Sequence, residues 1–250
     1  MKIKWESTGE GPPLLLIQGL GYGRWGWEPI VPGLAARHRV VTFDNRGIGE
    51  SDKPAGPYTA AAMAGDALQV LDEAGIERAH VLGASLGGMI AQELAVAAPE
   101  RVDRLVLCCT TPGGPATVPM PEVTVRLFAE APSLAPEVAL RRFVENALGT
   151  EPPQELVDEL FARRVANPPD PAGWQAQAAA GLGFEGVDGV IAAPALILAG
   201  TADNVVDHRN AEVLAARIPG ARVRLLEGAG HLFFWEQPAE SVRIIDEFLE

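Results

Sequence analysis

The sequence predicts an α/β fold: a mostly parallel, doubly wound sheet with a helical block inserted between two of its later strands. Three observations carry that reading. Short, unbroken apolar runs recur along the chain, the mark of strands covered on both faces. Helix-period segments separate them, and such alternation places helices on both sides of a parallel sheet. The alternation then stops from about Gly113 to Val190, where helical segments follow one another without a convincing strand.

Taken in order, Met1 to Glu6 reads as an opening strand that pairs antiparallel. Pro13 to Gln18, Arg39 to Phe43, Ala79 to Leu82, Val102 to Cys109 and Pro194 to Ala199 are continuous apolar runs bounded by turn residues, the pattern of buried strands. Ala221 to Leu226 alternates apolar with charged residues and reads as an edge strand. Thr59 to Ala74 sets Met63, Ala67, Val70 and Leu71 on one helical stripe and stops at Gly75. Leu86 to Ala98 repeats apolar residues at helical spacing and stops before Pro99; Asn210 to Ile218 and Pro238 to Leu249 follow the last strands. The strandless stretch divides into helical segments 119–131, 136–148, 152–166 and 171–182, separated by prolines, with Leu156, Val157, Leu160 and Phe161 making an apolar stripe in the third. The expected organisation is a core of residues 1–112 and 191–250 carrying a helical cap, 113–190.

The composition narrows the function. With 250 residues, 48% of them hydrophobic, the chain has the make-up of a globular domain, and open sheets of this kind reach that length as one unit. Its formal net charge of −13 repels a phosphate backbone, so nucleic acid is not an expected partner. No apolar run approaches the roughly 18 residues needed to span a bilayer, and no basic amphipathic helix suggests a membrane surface. The start, MKIKWESTGEG, lacks a secretory signal, which leads to the expectation of a cytoplasmic protein. The two cysteines, Cys108 and Cys109, are adjacent; they read as small buried hydrophobes on opposite faces of a strand, not as a disulfide framework.

One segment carries chemistry. Ala79 to Gln92 contains Gly83-Ala84-Ser85-Leu86-Gly87, a G-x-S-x-G pattern with a strand before it and a helix after it. A strand that turns sharply into a helix holds the serine in a strained conformation, and side chains two residues to either side would clash. Ser85 is thereby presented at a helix N-terminus, where backbone N–H groups favour developing negative charge. A serine nucleophile needs a general base. His38 and His80 directly precede strands, at the wrong end of the sheet for chemistry, and are expected at the surface; His208 lies beside a helix and is a weak candidate. His231, in the loop after the last strand, is the expected base. The imidazole needs a carboxylate to fix its tautomer. Asp203 stands immediately beyond a buried strand, while Asp207 is placed to cap the helix that follows. The order Ser, Asp, His is that of the nucleophile-elbow hydrolases.

Over essentially its whole length the chain resembles the α/β-hydrolase superfamily. The motifs that carry the resemblance are Gln18-Gly19-Leu20-Gly21, Asp44-Asn45-Arg46-Gly47-Ile48-Gly49-Glu50-Ser51, Gly83 to Gly88, and Gly230-His231 followed by Glu236-Gln237-Pro238. It is most similar to small cap-bearing serine hydrolases, carboxylesterases and 3-oxoadipate enol-lactonases. The resemblance implies an oxyanion hole formed by the Leu20 and Leu86 N–H groups, and a structural role for Asp44 to Ser51 in which Arg46 pins the loop. Gln18 departs from the usual histidine. Trp25, Trp27 and Leu232 to Trp235 flank the site loops, with Leu232 and Phe233 the candidates to line a substrate pocket. The implied activity is cofactor-independent and metal-independent hydrolysis of small to medium apolar esters or lactones, by a monomer or homodimer. The same triad serves C–C bond hydrolases of the meta-cleavage type and haloperoxidase-like perhydrolases, and some relatives use the pocket as a small-molecule receptor.

Overall fold

A computed structural model describes all 250 residues. The strands are β1 (Trp5–Thr8), β2 (Pro13–Ile17), β3 (Arg39–Phe43), β4 (Ala79–Ala84), β5 (Val102–Cys108), β6 (Ala195–Gly200) and β7 (Arg222–Leu226). They form one sheet in the order β1-β3-β2-β4-β5-β6-β7, in which only the β1–β3 pair is antiparallel. The helices are α1 (Val31–Leu34), α2 (Ala60–Glu73), α3 (Leu86–Ala97), α4 (Glu122–Glu130), α5 (Pro136–Asn146), α6 (Gln154–Ala166), α7 (Pro171–Leu182), α8 (Asn210–Arg217), α9 (Phe233–Glu236) and α10 (Pro238–Leu249). None is long and apolar enough to cross a membrane.

The apolar runs form central strands because both of their faces are covered. Leu14 to Ile17 of β2 are wholly buried, yet they serve two cores. Leu15 and Ile17 pack with Met63, Val70 and Leu71 of α2 and with Ile90 and Leu94 of α3. Leu14 and Leu16 pack with Trp27, Phe233, Phe234 and Phe248 on the other side. Full burial of each such side chain contributes roughly 1.5–3 kcal/mol. β7 is an edge strand, largely exposed, which is why its sequence alternates with arginine. Thr59 caps α2 by accepting the Ala62 N–H, as the boundary residue of that helix.

The sheet order fixes where a site can form. β2 lies between β3 and β4, so the chain leaves β2 to one side and returns on the other. In open sheets ligands bind outside the carboxyl ends of the strands near such a switch. The loops after β2, β4, β5, β6 and β7 all open at that end, and α4 to α7 follow β5 before the chain returns to β6.

Several expectations are corrected in detail. The opening strand begins at Trp5 rather than Met1, and the inserted helices start later or stop earlier than the 119–131, 136–148 and 152–166 limits; 171–182 agrees. The four-residue helices α1 and α9 were not expected. His80 lies inside β4, and both it and His38 are buried instead of standing at the surface. Apolar flanks draw these rings inward, and nearby carboxylates offset the cost of burying them: His38 Nε2 is 3.2 Å from Asp246 Oδ1 and His80 Nδ1 is 3.4 Å from Asp103 Oδ2. Cys108 and Cys109 are both buried, but they join the same core instead of opposite ones, because β5 ends at Cys108 and Cys109 turns the chain at φ 42°.

Candidate active site

Ser85 sits between β4 and α3 with φ 55° and ψ −120°, a conformation an L-residue adopts only when its surroundings enforce it. Enforcement is visible on both sides. Its N–H donates to Cys108 O at 2.9 Å, and its carbonyl accepts from Gly88 N–H at 2.9 Å and from the Thr110 hydroxyl at 2.7 Å. Strand and helix approach so closely that a Cβ on Gly83 would strike Gly87 O, and one on Gly87 would strike Ile17 O. That is the physical content of the two glycines in the motif. The Ser85 side chain is only half-buried. Its hydroxyl has no hydrogen-bond partner within the protein, and in enzymes of this design such bonds often close only around substrate.

His231 and Asp203 are brought together from loops 28 residues apart. His231 Nδ1 lies 2.8 Å from Asp203 Oδ2. The other Asp203 oxygen accepts the N–H groups of Val205 and Val206, at 2.7 and 2.9 Å, so the carboxylate is held on both oxygens and its side chain is fully buried. Burial works against the charged imidazole of His231, but the charge and hydrogen bond of Asp203 outweigh it and hold the pKa well above the ordinary 6.5. Cys109 links the two loops: its neighbours Cys108 and Thr110 bond the Ser85 backbone, while its own thiol lies against the His231 ring. Burial pushes both thiols upward in pKa, so each stays protonated near neutral pH.

Asp207 is placed elsewhere. Its carboxylate pairs with the Arg209 guanidinium at 2.6 Å and accepts the Arg209 N–H, a local turn with no bond to His231. Asp44 makes no contact with the pair either. It accepts the N–H groups of Arg24 and Glu50 and organises the loop after β3. Arg46 pins that loop by a two-pronged bond to Asp66 of α2, at 2.5 and 2.7 Å.

The loop after β2 lies directly against the serine: a Cβ on Gly19 would stand 3.1 Å from Ser85 Cβ. Gln18 accepts the Gly19 N–H through its side chain at 2.8 Å, and Asn45 donates to Gln18 O at 2.9 Å. Its Nε2 faces Gly26 with no partner. Gly19 to Tyr22 form a turn closed by Tyr22 N–H to Gly19 O, with Gly21 at φ 71°. Leu20 N–H has no backbone acceptor, and Leu86 opens α3, where a first-turn N–H has no partner within its helix. Leu232 and Phe233 are both buried; Phe233 is fully enclosed and packs edge-on to Phe234 at 5.5 Å, in the core rather than facing open space.

Sequence reading missed the contacts made by the inserted helices. Gln177 of α7 accepts the Gly21 N–H, and Arg164 of α6 donates to the Gly21 carbonyl. Glu236 accepts from both Gly149 and Gly230, each at 2.7 Å, and so ties the residue before His231 to the α5–α6 connection. Thr124 of α4 donates to Asn204 O, beside Asp203. The alanine-rich helix α7 carries two glutamines, Gln175 and Gln177, and only the fold distinguishes the exposed first from the buried second.

A family model described as the alpha/beta hydrolase fold matches residues 12–238. The chain belongs to the α/β-hydrolase family. Among its relatives is RutD of Azorhizobium caulinodans, provisionally named a carbamate hydrolase, 34% identical over 92% of this chain and 88% of that protein. The pimeloyl-[acyl-carrier protein] methyl ester esterase of Aeromonas hydrophila is 30% identical, with all of both chains covered. Among solved α/β-hydrolases, the enol-lactonase from Burkholderia xenovorans LB400 superposes with a TM-score of 0.82 at 29% identity, covering 99% of this chain and 96% of the other.

Proposed function

We propose that the protein is a serine hydrolase that cleaves carboxylic esters, lactones included as cyclic esters, through an acyl-enzyme. The observation that carries this reading is the buried Asp203–His231 hydrogen bond at the same end of the sheet as a serine held at φ 55°. Ser85 Oγ attacks the ester carbonyl carbon and gives its proton to His231, whose imidazolium Asp203 stabilises. The carbonyl oxygen becomes an oxyanion that accepts from the Leu20 and Leu86 N–H groups, each donor contributing about 3 kcal/mol in the transition state. Collapse breaks the C–O bond, and the imidazolium proton leaves with the alcohol. Water, deprotonated by His231, then repeats the sequence on the acyl-Ser85 bond and releases the acid.

Residues 113–190 act as a cap over the core of 1–112 and 191–250. The surroundings favour small to medium apolar acyl groups: Leu86 follows the serine, Leu20 packs against the apolar core that includes Leu86, and Leu86 Cδ1 lies 3.7 Å from where a Cβ on Gly181 of α7 would be. The methyl ester esterase and enol-lactonase relatives support ester and lactone chemistry. The test is a panel of nitrophenyl esters of graded chain length together with lactones. Expected are a pre-steady-state burst of one equivalent of alcohol for the preferred ester, and loss of both burst and turnover in Ser85→Ala. No turnover across the panel, or turnover that survives Ser85→Ala, rejects the proposal.

A further inference from the structure

The Leu20 N–H can stabilise an oxyanion only if the Gly19–Leu20 peptide that carries it is held in place, and the Gly19 to Tyr22 turn that contains this peptide is anchored from both the core and the inserted helices. On one side the turn is fixed from within the core, by Gln18 Oε1 on the Gly19 N–H. On the other side both polar groups of Gly21 are taken by the inserted helices. Gly21 N–H donates to Gln177 Oε1 at 3.0 Å, and Gly21 O accepts from Arg164 Nη1 at 2.8 Å.

The Gln177 amide has a single sense in this position. Its Oε1 accepts an N–H and its Nε2 donates to Arg46 O at 2.8 Å, so turning the amide over would lose both bonds. The side chain is 0% exposed among alanines, and a buried amide is tolerated there because both ends are satisfied. Gly21, at φ 71°, has the sign that a type II turn requires at its third position. Types I and II differ by rotation of the peptide between the two central residues, here Leu20 and Gly21. The bond from Gly21 N–H to Gln177 holds that peptide in one of the two orientations. Arg164 adds to the clamp by lying over the Tyr22 ring, 4.6 Å from its centre.

We propose that Gln177, with Arg164 in support, is a positioning residue for the oxyanion hole: by holding the peptide that follows Leu20, the cap anchors the turn that presents the Leu20 N–H and so contributes to catalysis as well as enclosing substrate. The proposal rests on the reading of Leu20 as an oxyanion donor.

A misplacement of about 1 Å at a reacting centre costs on the order of a hundredfold in rate. Gln177→Met keeps the volume and removes both hydrogen bonds; Gln177→Glu keeps the acceptor for Gly21. Expected for Gln177→Met is a kcat lower by roughly ten- to a hundredfold with KM little changed, and for Gln177→Glu a kcat between that and wild type. The readout that a merely structural role would not move is a pair of inhibitors. A trifluoromethyl ketone adds Ser85 Oγ and forms an oxyanion, whereas the methyl ketone of the same chain length binds without forming one. Gln177→Met is expected to weaken the first by about the same factor as kcat and leave the second within about twofold. Arg164→Met, at a half-exposed position, is expected to show the same pattern at smaller amplitude, and it decides the matter if Gln177→Met does not fold. Equal weakening of both ketones, or an unchanged kcat and trifluoromethyl ketone affinity, overturns the positioning role. A wild-type protein insensitive to the trifluoromethyl ketone would instead remove the oxyanion hole itself, a failure recognisable before any variant is made.

Discussion

Replacing Asp203 by Asn removes one charge and almost nothing else. Oδ1 can still accept the Val205 and Val206 N–H groups, so the loop keeps its local bonds. What is lost is the carboxylate facing His231 Nδ1 at 2.8 Å. At an effective dielectric constant near 20, opposite unit charges at that separation attract by about 6 kcal/mol. One power of ten in rate corresponds to about 1.4 kcal/mol, so loss of imidazolium stabilisation predicts a kcat lower by about 10⁴. The pH profile gives a second, independent reading. In the proposed mechanism catalysis requires neutral His231, and Asp203 raises its pKa against the pull of burial, so kcat/KM in the wild type is expected to rise with pH through an apparent pKa above 6.5. Without the charge only burial acts, which favours the neutral ring, and the limb of the residual activity moves to lower pH. The assay is kcat/KM for a nitrophenyl ester from pH 5 to 9, with Asp207→Asn in parallel. A loss under tenfold, an unmoved limb, or a larger loss in Asp207→Asn would refute the assignment of the acid.

Ser85→Gly should raise the melting temperature while abolishing turnover, because φ 55° with ψ −120° strains a serine by about 1–3 kcal/mol and does not strain glycine; in a chain of this size each kcal/mol is worth about 2–4 °C, read by calorimetry. His80 is held below its ordinary pKa by burial, opposed by Asp103 and aided by His38, Arg104 and Arg78. Its contribution to stability is therefore full above the unfolded value of about 6.5 and is lost as pH falls below it. Between pH 7.5 and 5 the urea midpoint of His80→Leu should therefore rise relative to that of the wild type, and no change in that difference would contradict the assignment. Cys108 and Cys109, buried and protonated, should be unreactive to a thiol reagent in native protein and give two equivalents after denaturation.

What the sequence revealed and what it hid follow from the range of the interactions involved. β2 and β4 were legible because a strand buried on both faces must be apolar at every position, as Leu14 to Ile17 are. Ser85 was legible because the steric demands of its turn act within two residues, on Gly83 and Gly87. The four-residue helices α1 and α9 are too short to display a period, and the reading missed both. His38 was misplaced because the carboxylate opposite it comes from α10, 208 residues away, and His80 because its partner Asp103 stands on the neighbouring strand β5, a pairing only the sheet creates. Gln177 gave no sign of its partner for the same reason: 156 residues separate it from Gly21. Contacts of that range depend on how the inserted helices seat on the loops, which no local pattern encodes.

The most direct measurement is peptide mapping by mass spectrometry after brief exposure to a fluorophosphonate. The account predicts one phosphonyl adduct per chain, on Ser85, formed in step with loss of esterase activity and blocked by prior acylation. An adduct confined to Ser7, Ser51, Ser133 or Ser241, or full activity loss with Ser85 unmodified, would contradict it.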